Sequence, residues 1–139
     1  MPVIVDSSFI YALFNHSEAR HFDAVSFALT NTDELLMPDV VLPELSYLFR
    51  RDFGHAGIHR LLELIESFDV RYVPITADDI PQMRAITMRY ATSAFDIVDC
   101  CIMAIAERLD ITRIATFDRR DFSIYRPRHC PFFELLPPV

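Results

Sequence analysis

The sequence predicts a single α/β domain over residues 1–139, with a parallel sheet of about five strands between two layers of helices. Three observations point there. Short apolar runs such as VIV and LLM alternate with stretches long enough to be amphipathic helices, the order expected of β-α units. Those runs are apolar at every position rather than at every second one, as in strands buried on both faces. At 139 residues and 52% hydrophobic content, the chain can fill one core and not two.

The elements follow in order. Val3–Val5 is a β-branched run that stops at Asp6, and Ser7–Phe14 reads as the helix after it. Glu18–Leu29 carries an apolar face of Phe22, Val25, Phe27 and Leu29, which predicts a second helix. Leu35–Met37 is a strand ended by Pro38. Asp39 is the expected N-cap of a helix to Phe53, with Gly54 as its stop. Ala56–Phe68 is amphipathic and helical, and Arg71–Ile75 is a strand. Thr76 is expected to cap the next helix, with Asp79 in the capping-box position, running to about Tyr90. The segment IVDCCIMAIAERL then forms a helix buried over most of its circumference, with Asp96 as its N-cap. Arg113–Phe117 and Phe132–Leu136 are the last strands.

Composition excludes several classes. Gly54 and Gly57 are the only glycines, so there is no glycine-rich phosphate loop or dinucleotide fingerprint. No serine sits in a GxSxG setting. Cys100, Cys101 and Cys130 are odd in number, and two are adjacent on the apolar helix. They read as free thiols of a reducing compartment, not as a disulfide framework or a zinc site. The N-terminus lacks the basic region of a signal peptide, and no run reaches the ~20 apolar residues of a membrane span. Formal net charge is −7, and all thirteen basic residues are arginine. Such a chain is a poor generic binder of nucleic acid, unless its acids gather around bound cations that invert the local charge.

The acids do fall in a pattern. VIVD and IATFD place Asp6 and Asp118 at the carboxyl ends of two strands, the rim where sites form in open parallel sheets. Asp99, one turn into the apolar helix, faces the same rim, and a carboxylate there needs a partner to offset its desolvation. Glu44 lies in apolar surroundings early in the third helix. Each has a plainer use: Asp6 as a cap, Glu44 as a solvated helix residue, Asp118 as a turn former in FDRRDF. Four carboxylates at one rim would not stay ionised without counter-charge. An oxygen-only donor set suits Mg²⁺ or Mn²⁺.

Three segments, VIVDSSFIYALF, MPDVVLPELSYLF and IVDCCIMAIAERLDITRIATFDRRDF, together resemble the PIN domain family, and within it VapC-like toxins. The resemblance covers nearly the whole chain. It implies a metal-dependent ribonuclease whose acids are Asp6, Glu44, Asp99 and Asp118, with Mg²⁺ or Mn²⁺ as cofactor. Ser8 matches the small hydroxyl position beside the first acid. Asp121 reads as a turn residue, with a supporting place beside the site as the alternative. Arg119 and Arg120 are the first candidates for RNA phosphate, followed by Arg50, Arg51, Arg126 and Arg128, because guanidinium binds phosphate bidentately. His16, His21, His55 and His59 read as surface residues. The resemblance further implies an RNA substrate, a cognate antitoxin, a homodimer and a cytoplasmic location. Alternatives are a PIN nuclease of RNA processing and a catalytically silent interaction module. An aspartyl-nucleophile phosphatase is disfavoured because the first strand ends in Asp6-Ser7-Ser8 and lacks a second aspartate.

Overall fold

A computed structural model describes residues 1–138, and Val139 lies outside the described residues. Five strands form one sheet: β1 (Val3–Val5), β2 (Leu35–Pro38), β3 (Arg71–Val73), β4 (Arg113–Ala115) and β5 (Glu134–Leu136). Their order is β3-β2-β1-β4-β5, and every neighbouring pair is parallel. The helices are α1 (Ser7–Phe14), α2 (His21–Thr30), α3 (Val41–Phe53), α4 (His55–Glu66), α5 (Asp79–Arg89), α6 (Ile97–Leu109) and α7 (Arg120–Ile124). Right-handed crossovers send the chain outward from β1 to β3, then back across the sheet to β4 and β5. This puts α1–α4 on one face and α5–α7 on the other, and within each group the helices pack on one another.

The central strands β1, β2 and β4 are covered on both sides, whereas β3 at the edge exposes Arg71 and Tyr72. Val3, Ile4, Val5, Leu36, Met37, Ile114 and Ala115 are all fully buried. α6 buries every residue from Asp99 to Ala106, in line with its unbroken apolar run. Asp96 caps it as expected, accepting from the Val98 N–H at 2.8 Å. Its other end turns on Asp110, in the left-handed region at φ 57°, which Asp tolerates better than most residues.

Several boundaries differ from expectation for local reasons. α2 begins at His21, not Glu18, and His21 donates through Nδ1 to the Ala12 carbonyl at 2.8 Å. Asp39 does not cap α3; its carboxylate accepts from the Ile75 N–H at 3.2 Å and ties β2 to the end of β3. α5 starts at Asp79, three residues beyond Thr76, yet the Thr76 N–H still donates to the Asp79 carboxylate at 2.9 Å, as in half of a capping box. Strands β3 and β4 end two residues early. FDRRDF is not a bare turn, since its second half begins α7, five residues and too short to show a helical period. All three cysteines are free, and burial raises the thiols of Cys100 and Cys101 to about 11 and about 12. Among the described residues no helix is long and apolar enough to cross a membrane.

Candidate active site

The strand order reverses at β1 and β4: the chain leaves β1 toward one helical layer and β4 toward the other. A crevice opens between such connections at the carboxyl ends of the strands. Register decides what meets there. Val5 pairs with Ala115, so the next residues, Asp6 and Thr116, stand side by side. The Asp6 N–H donates to the Ala115 carbonyl at 3.2 Å, extending the ladder by one bond.

Asp6 caps α1 and at the same time ties the end of β1 to the residue after β4. Its Oδ1 accepts from the Phe9 N–H at 3.0 Å, capping α1, and from Ser8 Oγ at 2.8 Å. Its Oδ2 accepts a short hydrogen bond from Thr116 Oγ1. Thr116 is fully buried and was not singled out from the sequence; the hydroxyl two residues before Asp118 was the available signal. Ser8 Oγ also accepts from the N–H groups of Phe117, at 2.9 Å, and Asp118, at 3.2 Å. The two hydroxyls thus bind the end of β1 to the loop after β4 and aim the backbone that carries Asp118.

Burial raises the Asp6 carboxyl to about 6, against the pull of hydrogen bonds from Thr116, Phe9 and Ser8. Asp99 is raised much further, to about 9. Burial is the largest cause, followed by a hydrogen bond shared with the Asp121 carboxyl and by the charges of Asp6, Asp121 and Asp118. Asp121, read from sequence as a turn residue, is therefore a neighbour of Asp99 and is itself buried. It also accepts from the Asp96 N–H at 3.3 Å and from Arg120 Nη1 at 2.6 Å, which joins the start of α6 to α7. Asp118 is exposed at the mouth of the crevice. Glu44 approaches from α3 and accepts a short hydrogen bond from Ser7 Oγ.

The arginines named from sequence are partly engaged. Arg119 donates to the carbonyls of Thr116 at 2.9 Å and Pro137 at 2.5 Å, bracing the site loop against the C-terminal segment. Arg120 spans Asp121 and the Ser93 carbonyl. Arg126 holds carbonyls of its own turn, and Arg128 pairs with Glu107 at 3.3 Å.

Asp6, Asp99, Asp118 and Asp121 form one electrostatic cluster, with Glu44 beside Ser7 at its edge. Among the described residues, no three His, Cys, Asp or Glu side chains are grouped so as to hold an ion. Both Asp6 oxygens, and one of Glu44, are bound to protein hydroxyls. The donor chemistry nevertheless fits a hard divalent cation, since all the candidate donors are carboxylate oxygens. The mutual repulsion that raises Asp99 is the same excess charge a cation would offset.

This fold and this rim of acids define a PIN domain. The family model for that domain matches residues 3–126, and the chain belongs to the family. Ribonuclease VapC26 of Mycobacterium tuberculosis is 27% identical over 135 residues, covering 97% of this chain and all of that protein. The crystal structure of M. tuberculosis VapC20, described as a Sarcin-Ricin loop cleaving toxin, superposes with a TM-score of 0.77 at 26% identity, covering 85% of this chain and 91% of that one. A toxin–antitoxin complex from Klebsiella pneumoniae contains a chain of the same fold, with a TM-score of 0.67 at 15% identity, covering 94% and 98% of the two chains.

Proposed function

We propose that this chain is a divalent-metal-dependent endoribonuclease, the toxin of a VapBC-type pair, built as one PIN domain. The observation that carries the reading is the cluster at the β1–β4 crevice, where burial and three neighbouring aspartates raise Asp99 to about 9. Membership of the PIN family and the ribonuclease relatives support it.

Asp6 and Asp99 are the first-choice ligands, and Glu44 and Asp118 bind the ion or orient its waters. Asp121 positions Asp99. Mg²⁺ or Mn²⁺, when bound, supplies Lewis acidity toward water and the phosphate oxygens. Ser8 and Thr116 hold Asp6 in one orientation, so that little is spent on ordering it during the reaction. Arg119 and Arg120 keep unused N–H donors for RNA phosphates. A cognate antitoxin, a homodimeric assembly and a cytoplasmic location complete the reading. The apolar groove of about 520 Å³ lined by Leu13, Phe14, Phe53, Ala56 and Leu64 lies away from the acids and suits an apolar antitoxin segment better than a nucleic acid.

The test is cleavage of a mixed RNA pool by the purified chain with Mn²⁺ or Mg²⁺, with EDTA, and with Asp99→Asn. Metal-dependent cleavage that falls at least ~10²-fold in the variant is expected, the scale of losing a transition-state stabiliser. Equal cleavage by Asp99→Asn would remove Asp99 from the site. Absence of any cleavage, together with binding of an antitoxin, would favour the silent interaction module.

A further inference from the structure

A second cleft opens beside the acids. It has a volume of about 410 Å³ and is lined by Tyr11, Glu18, Leu48, Arg51 and Phe117, with Ser8 and Asp118 at its inner end. That volume is within the range of small-ligand sites, ~300–1,000 Å³. Ser8 is hydrogen-bonded to Asp6, so whatever fills the cleft abuts the residues proposed to act on the phosphate.

Its walls are fixed. The Phe117 ring stacks against Phe9, with centroids 6.0 Å apart, and carries the Arg20 guanidinium 4.9 Å from its centroid. Arg51 is held by Asp52 through Nε at 2.9 Å and Nη2 at 3.0 Å, and Asp52 in turn accepts from the Tyr11 hydroxyl. Two of the five Arg51 N–H donors are thereby used, and the other three are free for a ligand. Among the described residues, Glu18 of this lining has no ion-pair partner, so it offers acceptor oxygens.

We propose that this cleft receives the base of a nucleotide next to the scissile phosphate and prefers a base bearing an exocyclic amino group. The proposal rests on the nuclease reading above and adds to it a specificity site. Leu48 and the part of Phe117 that lines the cleft supply apolar contact to a base. Arg51 supplies donors to a phosphate or a base carbonyl. Glu18 accepts from an amino group, as carboxylates do from the N4 amine of cytosine. Uracil flanks its one N–H with two carbonyls, setting oxygen against carboxylate oxygen.

The test is a randomised single-stranded RNA pool cleaved with Mn²⁺ by the parent, Glu18→Gln and Leu48→Trp, with the new ends sequenced. The parent is expected to disfavour uracil at one position flanking the cut by ~10-fold, one good base contact. Glu18→Gln should bring that ratio close to one. Leu48→Trp, which fills the cleft, should raise KM more than it lowers kcat. Identical end profiles in parent and Glu18→Gln, with KM unchanged in Leu48→Trp, would overturn the proposal while leaving the nuclease intact. If the parent cuts no RNA, the nuclease reading fails, and the cleft is judged by titrating AMP, CMP, GMP and UMP against the NMR signals of Leu48 and Phe117. Tighter binding of the amino-bearing nucleotides would support a base site; no shift with any of the four would overturn it.

Discussion

Asp6 and Asp99 show how far one carboxylate's behaviour depends on its neighbours. Both are aspartates at the start of a helix, yet Asp6 carries three hydrogen bonds and Asp99 faces other acids. Their folded pKa values lie above the unfolded one of about 3.9, so the fold favours their protonated forms. That contribution is complete below pH 4 and is lost as pH rises through about 6 for Asp6 and about 9 for Asp99. Metal-free protein should therefore lose thermal stability from these groups between pH 5 and 9, and Asp99→Asn should melt no lower than the parent at pH 8 in EDTA. A variant that melts well below the parent there would contradict the crowding of charge. Thr116→Val keeps the buried shape but removes the donor to Asp6. With Asp6 in its proposed role, it should lower RNA cleavage ~10–100-fold, the usual cost of losing a group that orients a metal ligand, with the fold retained by circular dichroism.

At the scale of elements, the site depends on joints distant from it. α3 carries Glu44 and meets α4 through Gly54 and Gly57. Gly54 adopts φ 72° and ψ −166°, a region almost confined to glycine, so Gly54→Ala should cost ~1–3 kcal/mol of stability in denaturant titration. A Cβ at Gly57 would stand 2.5 Å from the Phe49 carbonyl oxygen and 2.8 Å from Phe53 Cβ. Gly57→Ala must separate the two helices, at ~1–3 kcal/mol, the cost of overpacking. On the other face, Arg108 of α6 pairs with Asp79 of α5 at 2.9 Å and donates to the Pro74 carbonyl at 3.1 Å. Asp79 is 2% exposed, and Arg108→Ala would strand its charge, costing ~3 kcal/mol. Burial opposes its ionisation, but the bonds from Arg108 and Thr76 prevail and lower its pKa. This pair's stabilisation is present above pH 4 and disappears as pH falls through the folded value. Unfolding midpoints of Arg108→Ala and the parent should therefore converge in acid.

For the molecule as a whole, a net charge of −7 must be reconciled with a polyanionic substrate. The proposed contacts are few: Arg51, Arg119 and Arg120. About three phosphates neutralised on a single strand give a slope near −2 in log K against log salt. A slope steeper than about −5 in a binding titration with Asp99→Asn would mean a basic surface other than these arginines. Divalent cation should raise the melting temperature of the parent by mass action, and less so that of Asp99→Asn.

Much of this was legible in the chain. All-apolar runs between helical stretches specify strands covered on both faces, and hence a parallel sheet. The aspartates ending VIV and IATF, and the one stranded in an apolar helix, marked the acids, because local sequence suffices to place a residue at a strand end. Tertiary structure alone decided which groups meet. The β1–β4 register sets Thr116 against Asp6, and a five-residue helix turns Asp121 onto Asp99. Arg119 and Arg120 proved to brace backbone carbonyls at the site's edge, while Arg51 and Phe117 came to wall a cleft with Tyr11 of another helix. Such pairings join residues far apart in the chain, and their energies depend on distance and burial, which the order of residues does not encode locally.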